Sequence, residues 1–168
     1  MPRAELRIPS AWMTWFQAQV ACRNSRKRLP SNAEWQAAVI GTPDPGSDNG
    51  TTDCNTTAAI GWPEDPVATG SRSTCVSSGG AFDMVGNREE FVADWLPRST
   101  DCSAWQGAVS PTGDQQCLVG AATAGEPGVL LRGGSFNFVS TSAGPLTVYG
   151  LHGPSIWGGE IGFRCAVG

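Results

Sequence analysis

Six cysteines and a single histidine carry most of the reactive potential of this chain. Cys22, Cys54, Cys75, Cys102, Cys117 and Cys165 include no Cys-x-x-Cys pair, and His152 is the only imidazole. A tetrahedral zinc site therefore has too few well-spaced ligands, and disulfides are the better reading. Disulfides point to an oxidising compartment or to the cytosol of a thermophile; six buried, reduced thiols are the alternative. His152 lacks the second histidine that a facial iron site requires. It also lacks a serine nucleophile and orienting acid in any familiar context. Without partners it reads as a contact residue, neither base nor metal ligand.

Asp44, Asp48, Asn49, Asp53 and Asn55 offer oxygens that suit calcium, so a structural calcium is one reading. Their spacing is not that of an EF-hand loop. Turn formation by Asx side chains accounts for them as well and is preferred.

The tail from Leu131 to Cys165 is the most unusual stretch. Arg132-Gly133-Gly134-Ser135 and Ile161-Gly162-Phe163-Arg164-Cys165 bracket a middle with neither helical nor strand period. Apolar residues on irregular backbone suit an active-site loop or a binding surface, because loops held by a scaffold often carry function. Arg132 and Arg164 are expected to bond backbone carbonyls or a buried carboxylate such as Glu90 or Asp94.

The elements that must hold this tail are short. Residues 10–26 place Trp12, Trp15 or Phe16, Gln19 and Cys22 at helical steps, with Ser10 as N-cap. Pro30 ends that helix. Ser31-Asn32-Ala33-Glu34 is a capping box that starts a second helix, with Trp35, Ala38 and Val39 inward and Gly41 as its stop. Residues 42–78 form a long turn-rich loop, and loops of this length are usually functional or stapled. Glu90 to Trp95 reads as a short buried strand, and Val129-Leu130-Leu131 as a central one.

At 168 residues the chain fits one domain with a real core, and 15% charged residues exclude a disordered composition. Twenty-two glycines and twelve prolines predict many turns. A net charge of -4, with scattered Lys and Arg, argues against nucleic acid. No window approaches the roughly 20 apolar residues of a membrane span, and the first residues lack a signal peptide's apolar core. Membrane insertion is not expected. No fixed-period repeat occurs.

Four landmarks follow in one order: the tryptophan helix ending near Cys22, Lys27-Arg28-Leu29-Pro30-Ser31-Asn32-Ala33-Glu34-Trp35, Asp83-Met84-Val85-Gly86-Asn87 running to Ala93-Asp94-Trp95, and Arg132-Gly133-Gly134-Ser135 with Gly162-Phe163-Arg164. Together they closely resemble the formylglycine-generating-enzyme (sulfatase-modifying factor) branch of the C-type lectin fold. The resemblance covers residues 12–165. It implies one α+β, C-type lectin-like domain over residues 1–168, loop-rich, with two helices and small antiparallel sheets.

The resemblance further implies a Cys22–Cys165 bridge, worth about 4 to 5 kcal/mol in the chain-entropy model. Cys54 with Cys75 and Cys102 with Cys117 are paired by proximity in sequence alone. The chain departs from the pattern at Glu89, where the family has an aromatic, and at Phe91, where it has a tryptophan. The segment before the first helix is short for the family, so an N-terminal strand or partner domain is expected to be missing. The family's oxidase chemistry holds copper on two cysteines just after Arg-Gly-Gly-Ser. Residues 136–143 contain none, so copper chemistry, and catalysis generally, is not expected.

The tail also resembles the variable proteins of diversity-generating retroelements, through Arg132 to Ser135, Ala143-Gly144-Pro145-Leu146-Thr147-Val148, Pro154-Ser155 and Ile161 to Cys165. In such systems a reverse transcriptase randomises template adenines. Asparagine codons then reach any codon ending in the same pyrimidine, which excludes Trp, Met, Gln, Lys and Glu. The expected contacts are Phe138, Val139, Ser140, Thr141, Tyr149, Leu151, His152, Ile156, Gly158 and Gly159, all inside the reachable set. Trp157 and Glu160 fall outside it and belong to the fixed scaffold, with Trp157 as a neighbouring contact. Phe136 is assigned to the core.

These residues would form a paratope-like patch for a protein or cell-surface ligand, on a cell surface, a virion or free outside the cell. No catalytic residue, metal site or cofactor is expected beyond the optional calcium. The alternative function is a degenerate enzyme relative that binds a fixed partner or a carbohydrate.

Overall fold

The computed structural model describes residues 7–44, 48–56, 65–102, 113–138 and 140–168. Two helices, α1 (Trp15–Asn24) and α2 (Asn32–Ala38), precede five strands: β1 (Glu89–Leu96), β2 (Gln116–Cys117), β3 (Gly128–Arg132), β4 (Val148–Tyr149) and β5 (Ile161–Phe163).

The first helix starts later than the sequence suggested. Ser10 is not its cap: Thr14 accepts from the Gln17 amide while the Gln17 side chain returns to the Thr14 amide. Trp12 is excluded from the helix by its left-handed backbone, φ 59°. The inward stripe is therefore Trp15, Ala18 and Cys22, with Phe16 and Val20 facing outward. The second helix follows the expectation. Ser31 and Glu34 form the capping box, and Asp94 accepts from the Asn32 amide at 2.6 Å, tying the helix start to β1. Trp35 and Val39 are buried beneath it.

The expected small antiparallel sheets are joined into one mixed sheet, in the order β2-β4-β3-β1-β5. The pairs β1/β3 and β3/β4 are antiparallel, whereas β1/β5 and β2/β4 are parallel. Parallel neighbours need long crossovers, and the irregular tail and the loop after β1 supply them. Strand β3 is central, and all five of its residues are buried. Its side chains alternate between two clusters. Val129 and Leu131 join Ala18, Cys22, Leu29, Phe91 and Ile161, while Leu130 joins Trp35, Met84, Val92 and Val148.

Phe91, the departure from the family tryptophan, thus fills the core under α1. Only the first half of β1 is buried, contrary to the expected wholly buried strand. A bulge between Phe91 and Trp95 turns Ala93, Asp94 and Trp95 outward.

Three disulfides close the structure: Cys22–Cys165, Cys54–Cys75 and Cys102–Cys117. The first joins the end of α1 to the residue after Arg164, at a separation of 143 residues. Within the long loop, Asn49 accepts from the amides of Thr51, Thr52 and Asp53, as a turn-forming Asx side chain does. Asp48 is buried and paired with Arg72 through two 3.1 Å bonds. Among the described residues, no helix is long and apolar enough to cross a membrane.

Loop size ranks the disulfides. Replacing Cys22 and Cys165 together by serine is expected to cost about 4 to 5 kcal/mol, and replacing Cys102 and Cys117 about 3 kcal/mol. Urea unfolding under non-reducing conditions measures both; equal losses would overturn the ranking.

Candidate ligand-binding surface

The two ends of the tail are fixed by glycine geometry and by a partly buried ion pair. Gly133 and Gly134 take φ 84° and 73°. A Cβ at Gly133 would lie 2.5 Å from the Met84 carbonyl oxygen, and one at Gly134 would lie 2.5 Å from the Ala143 Cα. Only glycine satisfies both the backbone angle and the close approach.

At the other end, Arg164 is bonded to Glu90, with Nη2 to Oε1 at 2.6 Å, and donates to the Phe82 carbonyl at 3.1 Å. Glu90 also accepts from the Trp35 indole at 2.7 Å. Arg132 donates to Gln36 and to the Pro145 carbonyl, and its guanidinium lies 4.6 Å from the Trp35 ring centre. The roles expected for both arginines hold, with Glu90 as the carboxylate.

Between these ends the expected contacts fall into two stretches. In the first, Phe138 is half-buried and donates its amide to Ser135. Val139 lies outside the described residues. Ser140 opens a short 3-10 turn, Ser140–Ser142, on which Thr141 is exposed. This turn is held from the side by residues 113–115, where Gln115 donates to the Thr141 carbonyl at 2.6 Å and accepts from Ser142 at 3.0 Å. Asp114 accepts from the Leu146 amide at 2.6 Å.

In the second stretch, Tyr149, Leu151, His152, Ile156 and Gly159 are half-buried, Gly158 is buried and Trp157 is 59% exposed. Tyr149 and His152 bring their rings to 5.2 Å. The His152 carbonyl accepts from Val129, which locks the loop to the central strand. Tyr149 and Ile156 also pack against the core cluster under α1, so each has one side committed to the interior.

Electrostatics distinguish this floor from an ordinary core. Glu89 is 4% exposed. Burial, with Glu160 adding, raises its carboxyl to about 8. Burial lowers His152, with Glu160 opposing, and raises Tyr149, with Glu89 adding. The same neighbouring carboxylates therefore act on several of the expected contacts. Among the described residues, no group of three or more His, Cys, Asp or Glu side chains is placed to hold a metal ion.

Two residues of the site, one exposed and one buried beneath it, escaped the sequence reading. Trp12, at 65% exposure, leans on Trp157 with ring centres 5.6 Å apart. Glu89 had a signal, since it stands where the family carries an aromatic, but only the fold shows it buried. Trp12 had none, because its spacing fitted a helix.

Glu89 gives a pH dependence. The fold keeps its proton up to about pH 8, whereas the unfolded chain releases it near the ordinary value of 4.5. The unfolded state thus binds fewer protons between these values, and stability falls as pH rises through that window. Glu89→Gln is expected to flatten the decline, which approaches 1.4 kcal/mol per pH unit at its steepest. Urea midpoints from pH 5 to 8 check this; parallel curves for both proteins would sink the assignment.

No curated protein sequence matches the chain. Among solved structures, the Major Tropism Determinant M1 variant superposes with a TM-score of 0.62 at 19% identity, covering 90% of this chain and 36% of that one. CarF gives 0.58 at 18% identity, over 95% of this chain and 67% of its own. Treponema denticola variable protein 1 gives 0.51 at 23%, over 83% and 46%. This chain spans about a third of the length of the Major Tropism Determinant and under half of the Treponema protein. At these identities the likeness shows a shared fold, the loop-rich C-type lectin-like α+β architecture. The sulfatase-modifying factor enzyme 1-like domain matches residues 3–168, and the chain belongs to that family.

Proposed function

We propose that this protein is a non-catalytic binding protein whose C-terminal surface is diversified by a retroelement. The observation that carries the reading is the division of the tail. Its ends are tied by Gly133, Gly134 and the Arg164–Glu90 pair, while partly exposed side chains stand between them. A surface that accepts many side chains needs a backbone whose course does not depend on them.

The proposed contacts are Phe138, Val139, Ser140, Thr141, Tyr149, Leu151, His152, Ile156, Gly158 and Gly159, with Trp157 as a fixed neighbour. Tyr149 and Ile156 contribute through their outward sides only. Two solved relatives in fold are named a tropism determinant and a variable protein, which agrees with this reading.

The absence of cysteine from residues 136–143 speaks against the copper chemistry of the enzyme branch. No cofactor enters the proposal, and calcium is not needed where Asn49 already serves as a turn. The ligand is a protein or a cell-surface molecule. Three disulfides favour a site outside the reducing cytosol, on a cell surface or a virion; no observation supports the cytosol of a thermophile.

Two measurements test the reading. Sequencing the locus is expected to find a near-copy of codons 132–165 rich in AAC beside a reverse transcriptase gene, and a locus without either rejects diversification. Replacing Phe138, Thr141, Leu151 and His152 together is expected to move the melting temperature by only a few degrees. Gly133→Ala, forced against the Met84 carbonyl, is expected to cost at least 1 to 3 kcal/mol. A collapse of the fold in the fourfold variant would sink the division.

A further inference from the structure

Trp12 has three properties that do not fit a spacer residue ahead of a helix. Its backbone is left-handed at φ 59°, a conformation that disfavours a bulky side chain. The residue is 65% exposed, so burial does not offset that cost. It is nevertheless held in place: its amide donates to the Gly158 carbonyl at 3.1 Å, and its ring rests on Trp157. A Cβ added at Gly159 would lie 3.0 Å from the Trp12 ring, so these two residues are packed in close register.

We propose that Trp12 and Trp157 form a fixed aromatic anchor at the edge of the diversified surface, which inserts into an apolar recess on a protein ligand. The inference rests on the tail being a binding surface and adds a residue more than a hundred positions away from it. Neither tryptophan is variable. Trp157 lies outside the codon set reachable by adenine randomisation, and Trp12 lies outside the tail. Variants that keep glycine at position 159, where a Cβ would press on the Trp12 ring, would present the same pair, so a common contact would persist while the neighbouring side chains alter specificity.

The rings favour a protein over a flat ligand held between them. Their centres are 5.6 Å apart at a tilt of 52°, which leaves no room for a third ring or a sugar to enter. Trp12 and Trp157 are 65% and 59% exposed, so much of the pair's apolar surface stays open to solvent. Tryptophan is prominent among residues whose truncation most weakens protein interfaces, typically where a ring fills a desolvated pocket.

The test uses the full chain in two libraries, both randomised at Phe138, Thr141, Leu151 and His152. One retains both tryptophans, and the other carries Trp12→Gly and Trp157→Ala. Each is selected against immobilised lysozyme as the probe. Binders are expected from the first library and not the second, or at least tenfold tighter from the first. In each selected binder, Trp12→Gly is expected to weaken Kd tenfold or more while holding or raising the melting temperature, since glycine accepts the left-handed backbone. Trp157→Ala should cause a similar loss, and Trp12→Phe should restore part of it.

Oxidative footprinting of a selected binder that keeps both tryptophans, free and with lysozyme, needs no tryptophan substitution and is expected to protect the Trp12 indole in the complex. Equal affinities from both libraries, or an unprotected Trp12, overturn the anchor while leaving the diversified surface standing. No binders from either library reject both.

Discussion

The structure depends on keeping the charge of Glu90 satisfied inside the fold. Glu90 is 8% exposed, and its carboxylate receives the Arg164 guanidinium and the Trp35 indole. These partners lie 74 and 55 residues away in sequence. One carboxylate therefore joins α2, β1 and the end of the tail. Arg164 passes the connection to the Phe82 carbonyl, and Trp35 passes it to Arg132 through its ring face. Desolvating two charges opposes folding unless their remaining hydrogen-bonding sites are filled, and here indole and carbonyl groups fill them. Losing one partner would strand the other.

A second hub, Asn87, does for the loops what Glu90 does for the helices and sheet. Its side chain exchanges bonds with the backbone of Val67, accepting at 2.9 Å and donating at 3.1 Å, as a strand neighbour would. Its own amide donates to Asn55, and its carbonyl receives Phe136. The stapled loop, the strand β1 and the start of the variable stretch thus meet at one amide. Irregular backbone is held in one course by buried polar groups such as Asn87 that pair with it, and the Cys54–Cys75 bridge restricts the stapled loop as well. This is how a chain with so little regular structure can present side chains whose identity the fold does not need to know.

The same economy has costs at two places beside the proposed surface. Glu89 is carried as a neutral acid, a sacrifice of stability that grows as pH rises from 4.5 to about 8. Trp12 keeps an unfavourable backbone angle while mostly exposed to solvent. Strain and unfavourable burial are found where a surface is shaped for contact, and Arg26, Asp83 and Asn87 carry left-handed backbone as well.

The sequence by itself determined the local structure and the inventory. The capping box at Ser31 and Glu34, the central strand from Val129 to Leu131, the glycine pair after Arg132 and the even cysteine count are each set by residues within a few positions of one another, or by composition. Family resemblance extended this to the Cys22–Cys165 bridge, while residue chemistry offered Glu90 or Asp94 to Arg164 and only the fold selected Glu90. What only the tertiary structure decided depends on residues far apart. A helical spacing placed Trp12 on α1, but the bond of its amide to Gly158 and its contact with Trp157 remove it. The bulge in β1 turns Trp95 outward against its strand pattern, and the parallel pairing of β1 with β5 merges the expected small sheets into one. The burial of Glu89 follows from the strands and loops that close over it. Local preferences are written in adjacent residues, whereas burial and register are set by which distant segments arrive beside them.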